Sequence, residues 1–166
     1  MSPSRFDPYA ILHALEAEGV NYVIIGGLAR VLQGSDELTH GLDVAPSPSA
    51  KNLARLQSAL GKLNARRVDG DPFDVETLDT VRDPVVELAS DAGEIKVVLE
   101  PAGTRGYDDL RHRATREPIG EGLRPLVADP GDLVRMLEAH GRERDRVVIE
   151  TMQRAIELDR GLGWER

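Results

Sequence analysis

Between Tyr22 and Val44 the chain runs from an apolar segment into two consecutive glycines, then a short apolar-periodic stretch, then a second apolar run that holds one acid, Asp43. Val20 to Ile25 predicts a buried strand, and Gly26-Gly27 breaks it. Leu28, Ala29, Val31 and Leu32 predict a short helix that stops at Gly34, and Leu42 to Ala45 predicts the next strand. A strand ending in two glycines before a helix leaves the backbone bare, so that a phosphate can approach the amides. The same residues are equally read as a tight strand-to-helix turn that needs only small side chains.

The remaining pattern predicts a helix over 6–18 with Ile11, Leu12 and Leu15 on one face, ended by Gly19. A second helix follows Pro46-Ser47-Pro48-Ser49, with a serine as N-cap and Leu53, Leu56, Leu60 and Leu63 as its apolar stripe. Residues 65–83 predict irregular structure in which Phe73, Val75 and Leu78 are buried. Pro84 to Ala89 and Glu94 to Glu100 predict an antiparallel hairpin across Ser90-Asp91-Ala92-Gly93. A short helix is expected over 107–113, and a smaller hairpin or bridge over 117–127, interrupted at Gly120 and Gly122. Asp129 and Pro130 then open a helix to about His140, and Gly141 separates it from a last helix from Glu143 to about Asp159. Strands mixed with helices, hairpins and a helical carboxyl end predict an α+β domain rather than a doubly wound parallel sheet. At 166 residues and 40% apolar content, residues 1–166 are expected to form a single domain.

A formal net charge of −8 argues against general affinity for nucleic-acid backbone or anionic membrane. No run approaches the roughly 18 apolar residues of a membrane span, and the polar start lacks a signal-peptide core, so a cytoplasmic protein is expected. Without cysteine, any metal would need carboxylate or histidine ligands. His13, His112 and His140 have no metal-ligand spacing. Arg111, Arg113 and Arg116 form a candidate basic patch, and Arg142, Arg144 and Asp145 a candidate nucleotide contact; ordinary surface charge explains each set as well.

Ile24-Ile25-Gly26-Gly27-Leu28-Ala29, a helix, and then Thr39-His40-Gly41-Leu42-Asp43-Val44 resemble the nucleotidyltransferase superfamily, including its toxin-like and antibiotic-modifying branches. Glu94 to Leu99 resembles that family's strand with a third carboxylate, and the segments 107–110, 127–136 and 141–145 resemble its later helices, so that nearly the whole chain is covered. The resemblance implies a mixed sheet flanked by helices, nucleotide contacts at Gly26, Gly27, Thr39 and His40, and a magnesium ion bound by an Asp-x-Asp pair and the third acid. Two carboxylates alternating on one strand share a face, and a third from a neighbouring strand completes an oxygen cage for the cation.

The sequence departs from that pattern. Gly41 stands at the first acid, Asp43 alone remains of the pair, Lys96 aligns with the third acid, and Glu37 replaces a common arginine. A register shifted by two residues on the later strand would offer Glu94 instead, and Asp36 or Glu37 are the acids that could reach in from the preceding loop. Asp43 is therefore expected as the one metal contact, and Asp43 and Lys96 as the residues that decide catalysis. Lys96 either forms a salt bridge to Asp43 that fills a closed site, or occupies the metal's place and contacts phosphate. The expected function is a catalytically degenerate nucleotidyltransferase-fold protein, a pseudoenzyme, that binds a nucleoside triphosphate, another ligand or a protein partner such as an antitoxin, in a toxin-antitoxin or defence setting. The alternative is an active Mg2+-dependent transferase acting on RNA, protein or a small molecule.

Overall fold

The computed structural model describes residues 5–78 and 85–164. The first helix, α1 (Pro8–Ala17), opens on Asp7, whose carboxylate accepts from the Ala10 N–H at 3.2 Å, with a proline in its first turn. Its buried face is Ile11, Leu12 and Leu15, as the periodicity predicts. Strand β1 (Tyr22–Ile25) is buried on both sides, and α2 (Gly26–Leu32) begins directly at its end. Strand β2 (Gly41–Pro46) is one residue longer at each end than its apolar run suggests. Ser49 caps α3 (Ala50–Lys62), which buries Leu56 and Leu60 and packs against α1.

Residues 65–78 are more ordered than their composition predicts. They form β3 (Arg66–Arg67) and a 3-10 turn (Val75–Thr77), with Phe73 buried. The hairpin follows as β4 (Val85–Ser90) and β5 (Gly93–Val98), turned at Asp91 and Ala92; Pro84, the expected first residue, lies outside the described residues, as do 79–83. The next helix, α4 (Tyr107–Leu110), is shorter than predicted. The small hairpin is β6 (Thr115–Arg116) against β7 (Leu126–Val127), with a further bridge between Gly120 and Leu123. Asp129 caps α5 (Pro130–His140), Gly141 ends it at a left-handed φ of 63°, and a 3-10 turn (Glu143–Asp145) leads into α6 (Arg146–Trp164). The last helix thus starts later and runs further than its sequence pattern suggests.

The strands form one mixed sheet in the order β3-β4-β5-β2-β1-β7-β6. The central pairing of β2 with β5 is parallel; β1 runs antiparallel to β2, and β4 antiparallel to β5. Alternation along β4, β5 and β2 is clean: Val86, Leu88, Ile95, Val97, Leu42 and Val44 are buried in the core, and the residues between them face the other way. That second face is left partly open between α2 and α5. The protein is therefore α+β with a mixed sheet, as expected. No helix among the described residues is long and apolar enough to cross a membrane.

Two polar ties hold the frame. Arg113, just beyond α4, reaches the buried Asp132 of α5 at 2.6 Å, and Arg135 joins Asp132 to Asp109. With Arg111 on Asp108 and Arg116 donating to the Arg124 carbonyl, the suspected basic patch is absorbed in local partners. The second tie is Asn52, 2% exposed, which accepts from the Asn21 N–H and donates to the Asn21 and Ser47 carbonyls, closing the entry to β1 onto the exit from β2. Asn52→Ala strands the Asn21 N–H and the Ser47 carbonyl, while the Asn21 carbonyl keeps its bond from the Ser47 N–H, and the change is expected to destabilise the protein by about 2–4 kcal/mol, read as a lower urea midpoint at unchanged slope.

Candidate functional site

The open face of the sheet carries a row of side chains at one level. Ile25 on β1 pairs with Asp43 on β2, Asp43 with Lys96 on β5, and Lys96 with Glu87 on β4. In a pleated sheet, cross-strand partners project to the same side. An acid, an amine and a second acid thus stand side by side on the floor of a cleft of about 750 Å³. Gly26 and Arg30 of α2 form one wall. Leu133, Met136 and Leu137 of α5 form an apolar wall, and Arg142, Arg144 and Asp145 bring the turn before α6 to the mouth.

Asp43 lies against Gly26. That glycine has φ +70°, and a Cβ on it would come within 2.8 Å of the Asp43 Cγ, so both its backbone angle and its neighbour require glycine. Burial pushes the Asp43 carboxyl above the ordinary range, and the charges of Lys96 and Arg30 only partly pull it back. Among the described residues neither Asp43 nor Lys96 makes a hydrogen bond, or an ion pair within 4.0 Å. The expected salt bridge is therefore not a direct one. The two charges are adjacent, and both are left available to the cleft.

Arg30 is handled differently. Its guanidinium makes a bidentate pair with Glu37, with contacts at 2.8 Å, and Ser35 donates to the same carboxylate at 2.7 Å. Although burial opposes it, these hydrogen bonds from Arg30 and Ser35 hold the Glu37 carboxyl below the ordinary range. At the mouth Arg142 pairs with Asp145 at 2.7 Å.

The donor set does not fit the three-acid cage. A Cβ at Gly41 would stand 2.9 Å from the Glu94 carbonyl oxygen and 3.0 Å from the Glu94 Cβ, so the close approach of β5 to β2 closes the first acid position sterically. Lys96 places an ammonium beside Asp43, where the third acid would be. Glu94 pairs with Gly41 and does not line the cleft, and neither do Asp36 and Glu37. Among the described residues no three His, Asp or Glu side chains form a group that could hold a metal ion.

No protein-family model matches the chain, and no curated protein matches it. Solved structures do. A candidate nucleotidyltransferase from Thermotoga maritima aligns over 98% of both chains with a TM-score of 0.52 and 18% identity. The antibiotic-resistance factor ANT(2'')-Ia aligns over 95% of this chain and 92% of its own, with a TM-score of 0.52 and 13% identity. The chain has a nucleotidyltransferase fold.

Within that fold, Gly26, Asp43 and Lys96 meet in the cleft. Gly27 and Thr39 lie beside each other just outside it, where the Thr39 hydroxyl donates to the Gly41 carbonyl at 2.9 Å. His40 is exposed and does not line the cleft. Glu87, Glu100, Arg30 and the α5 wall are lining residues that sequence reasoning missed. For Glu87 the usable signal was its place in the alternating run Val85-Val86-Glu87-Leu88, which puts it on the Lys96 side once the hairpin register is known.

Two outcomes follow. Gly26→Ala is expected to destabilise the protein by about 1–3 kcal/mol through strain and contact with Asp43. In an Asp43→Ala background the penalty is smaller, a coupling measurable by a double-mutant cycle. Because the folded-state pKa of Asp43 is raised, its ionised form opposes folding at neutral pH, and that effect fades as pH falls through the raised value toward the ordinary one near about 4. Asp43→Asn is therefore expected to raise Tm at pH 7, with the advantage shrinking progressively on acidification.

Proposed function

We propose that this nucleotidyltransferase-fold protein binds a nucleotide in its cleft without a metal ion, and that metal-dependent nucleotide transfer has been lost. The observation that carries this reading is the floor row: Lys96 stands on the rung of Asp43, while Gly41 is a close-approach glycine with no room for an acid. The ammonium supplies positive charge where the cage would hold a cation. As a compact charge with three donors on a flexible stem, Lys96 contacts a phosphate oxygen directly. Asp43 holds the ammonium electrostatically rather than by a direct bond, so that an incoming phosphate has no salt bridge to break. The fold shared with the Thermotoga maritima protein and ANT(2'')-Ia supports the choice of nucleotides as the ligand class.

Thermal-shift measurements with nucleoside mono-, di- and triphosphates, each in EDTA and in MgCl2, test the proposal. Stabilisation by nucleotide in EDTA is expected, with affinity reduced about tenfold or more in Lys96→Ala and in Lys96→Met, which keeps the apolar stem. A shift that requires magnesium would overturn it, as would transfer of labelled nucleotide that Asp43→Ala abolishes.

A further inference from the structure

The cleft is lined by both paired and unpaired charges. Of its four lining cations, Arg30 is neutralised by Glu37 and Arg142 by Asp145, both through direct contacts. Lys96 and Arg144 make no ion pair among the described residues. Neither do the lining carboxylates Asp43, Glu87 and Glu100. Two free cations thus share the cleft with three free carboxylates, in a chain whose formal charge is already −8. With no metal to neutralise them, the successive phosphates of a triphosphate would add negative charge to a cleft that has no surplus of positive charge, and each added charge is repelled by the lining carboxylates. A single phosphate calls on no more than the two unpaired cations of the cleft, Lys96 and Arg144, and leaves no further anion to place.

The other lining completes the match. Leu133, Met136 and Leu137 give an apolar wall against which a flat ring packs. The free carboxylates Glu87 and Glu100 are acceptors for sugar hydroxyls or exocyclic amino groups. On the reading that the cleft takes a nucleotide without metal, on which this inference rests, we infer that the ligand is a nucleoside 5′-monophosphate, its phosphate on Lys96 and Arg144 and its base against α5. The same carboxylates that accept from the nucleoside repel longer phosphate chains, so the cleft discriminates by charge as well as by contact.

Isothermal titration calorimetry in EDTA with AMP, GMP, CMP and UMP, each against its triphosphate, decides the matter. At least one monophosphate is expected to bind about tenfold or more tightly than its triphosphate. Lys96→Ala and Arg144→Ala should each weaken monophosphate binding, whereas Glu87→Gln and Glu100→Gln should raise triphosphate affinity and narrow the ratio. Equal or tighter triphosphate binding in EDTA would overturn the monophosphate inference and leave metal-free nucleotide binding standing. An unchanged ratio in both glutamine variants would overturn the charge argument in the same way. Triphosphate binding only on addition of magnesium, or no binding of any nucleotide, would overturn both.

Discussion

The pairing of β2 with β5 is the constraint on which the rest of the site depends. These strands run parallel at the centre of the sheet, and their register sets Gly41 against Glu94 and Asp43 against Lys96. The approach at Gly41 is close enough that a Cβ would collide with the opposing backbone. A change at that one contact would move β5, and with it Lys96 relative to Asp43 and Glu87 relative to both. The neighbouring antiparallel strands transmit the register outward: β1 delivers Gly26 against Asp43, and β4 delivers Glu87 against Lys96.

On this frame the cleft combines charges that are settled with charges that are not. Arg30 and Arg142 are each held by a carboxylate, which shapes the wall and the mouth without leaving net charge there. Asp43 and Lys96 are neighbours without a direct bond, and burial makes ionisation of Asp43 unfavourable relative to water. Such an arrangement works against the stability of the empty protein. The pair is therefore open to the cleft rather than closed on itself. The α5 wall is kept in place from behind by Asp132, whose pairing with Arg113 and Arg135 lies outside the cleft.

Much of the fold was legible locally. Asp129, Pro130 and Gly141 bounded α5 because caps and helix-ending glycines act through the nearest turns of the chain. The β4–β5 hairpin was readable from its turn and the strand before α2 from its glycines. The two-residue strands β3 and β6 were not, because pairing with a distant neighbour, rather than any intrinsic run of apolar residues, makes them strands. The role of Asn52 was hidden for a similar reason: its partners, Asn21 and Ser47, approach it only after β1 and β2 have paired. The sequence pattern starts α6 too early because Glu143–Asp145 has a helical composition but forms a 3-10 turn.

The sequence by itself determined the order of the longer elements, the Gly26-Gly27 break, and the identities at the three decisive positions, Gly41, Asp43 and Lys96. It did so because strand periodicity and turn chemistry are properties of neighbouring residues. Only the tertiary structure decided that Glu87 joins the row, that Arg30 is consumed by Glu37, that Arg144 comes to the mouth of the cleft, and that Gly41 has no space for an acid. Those facts depend on strand register and on the packing of helices far apart in the chain. Charges within a cleft interact according to distance in space, which a sequence does not contain until its strands are paired.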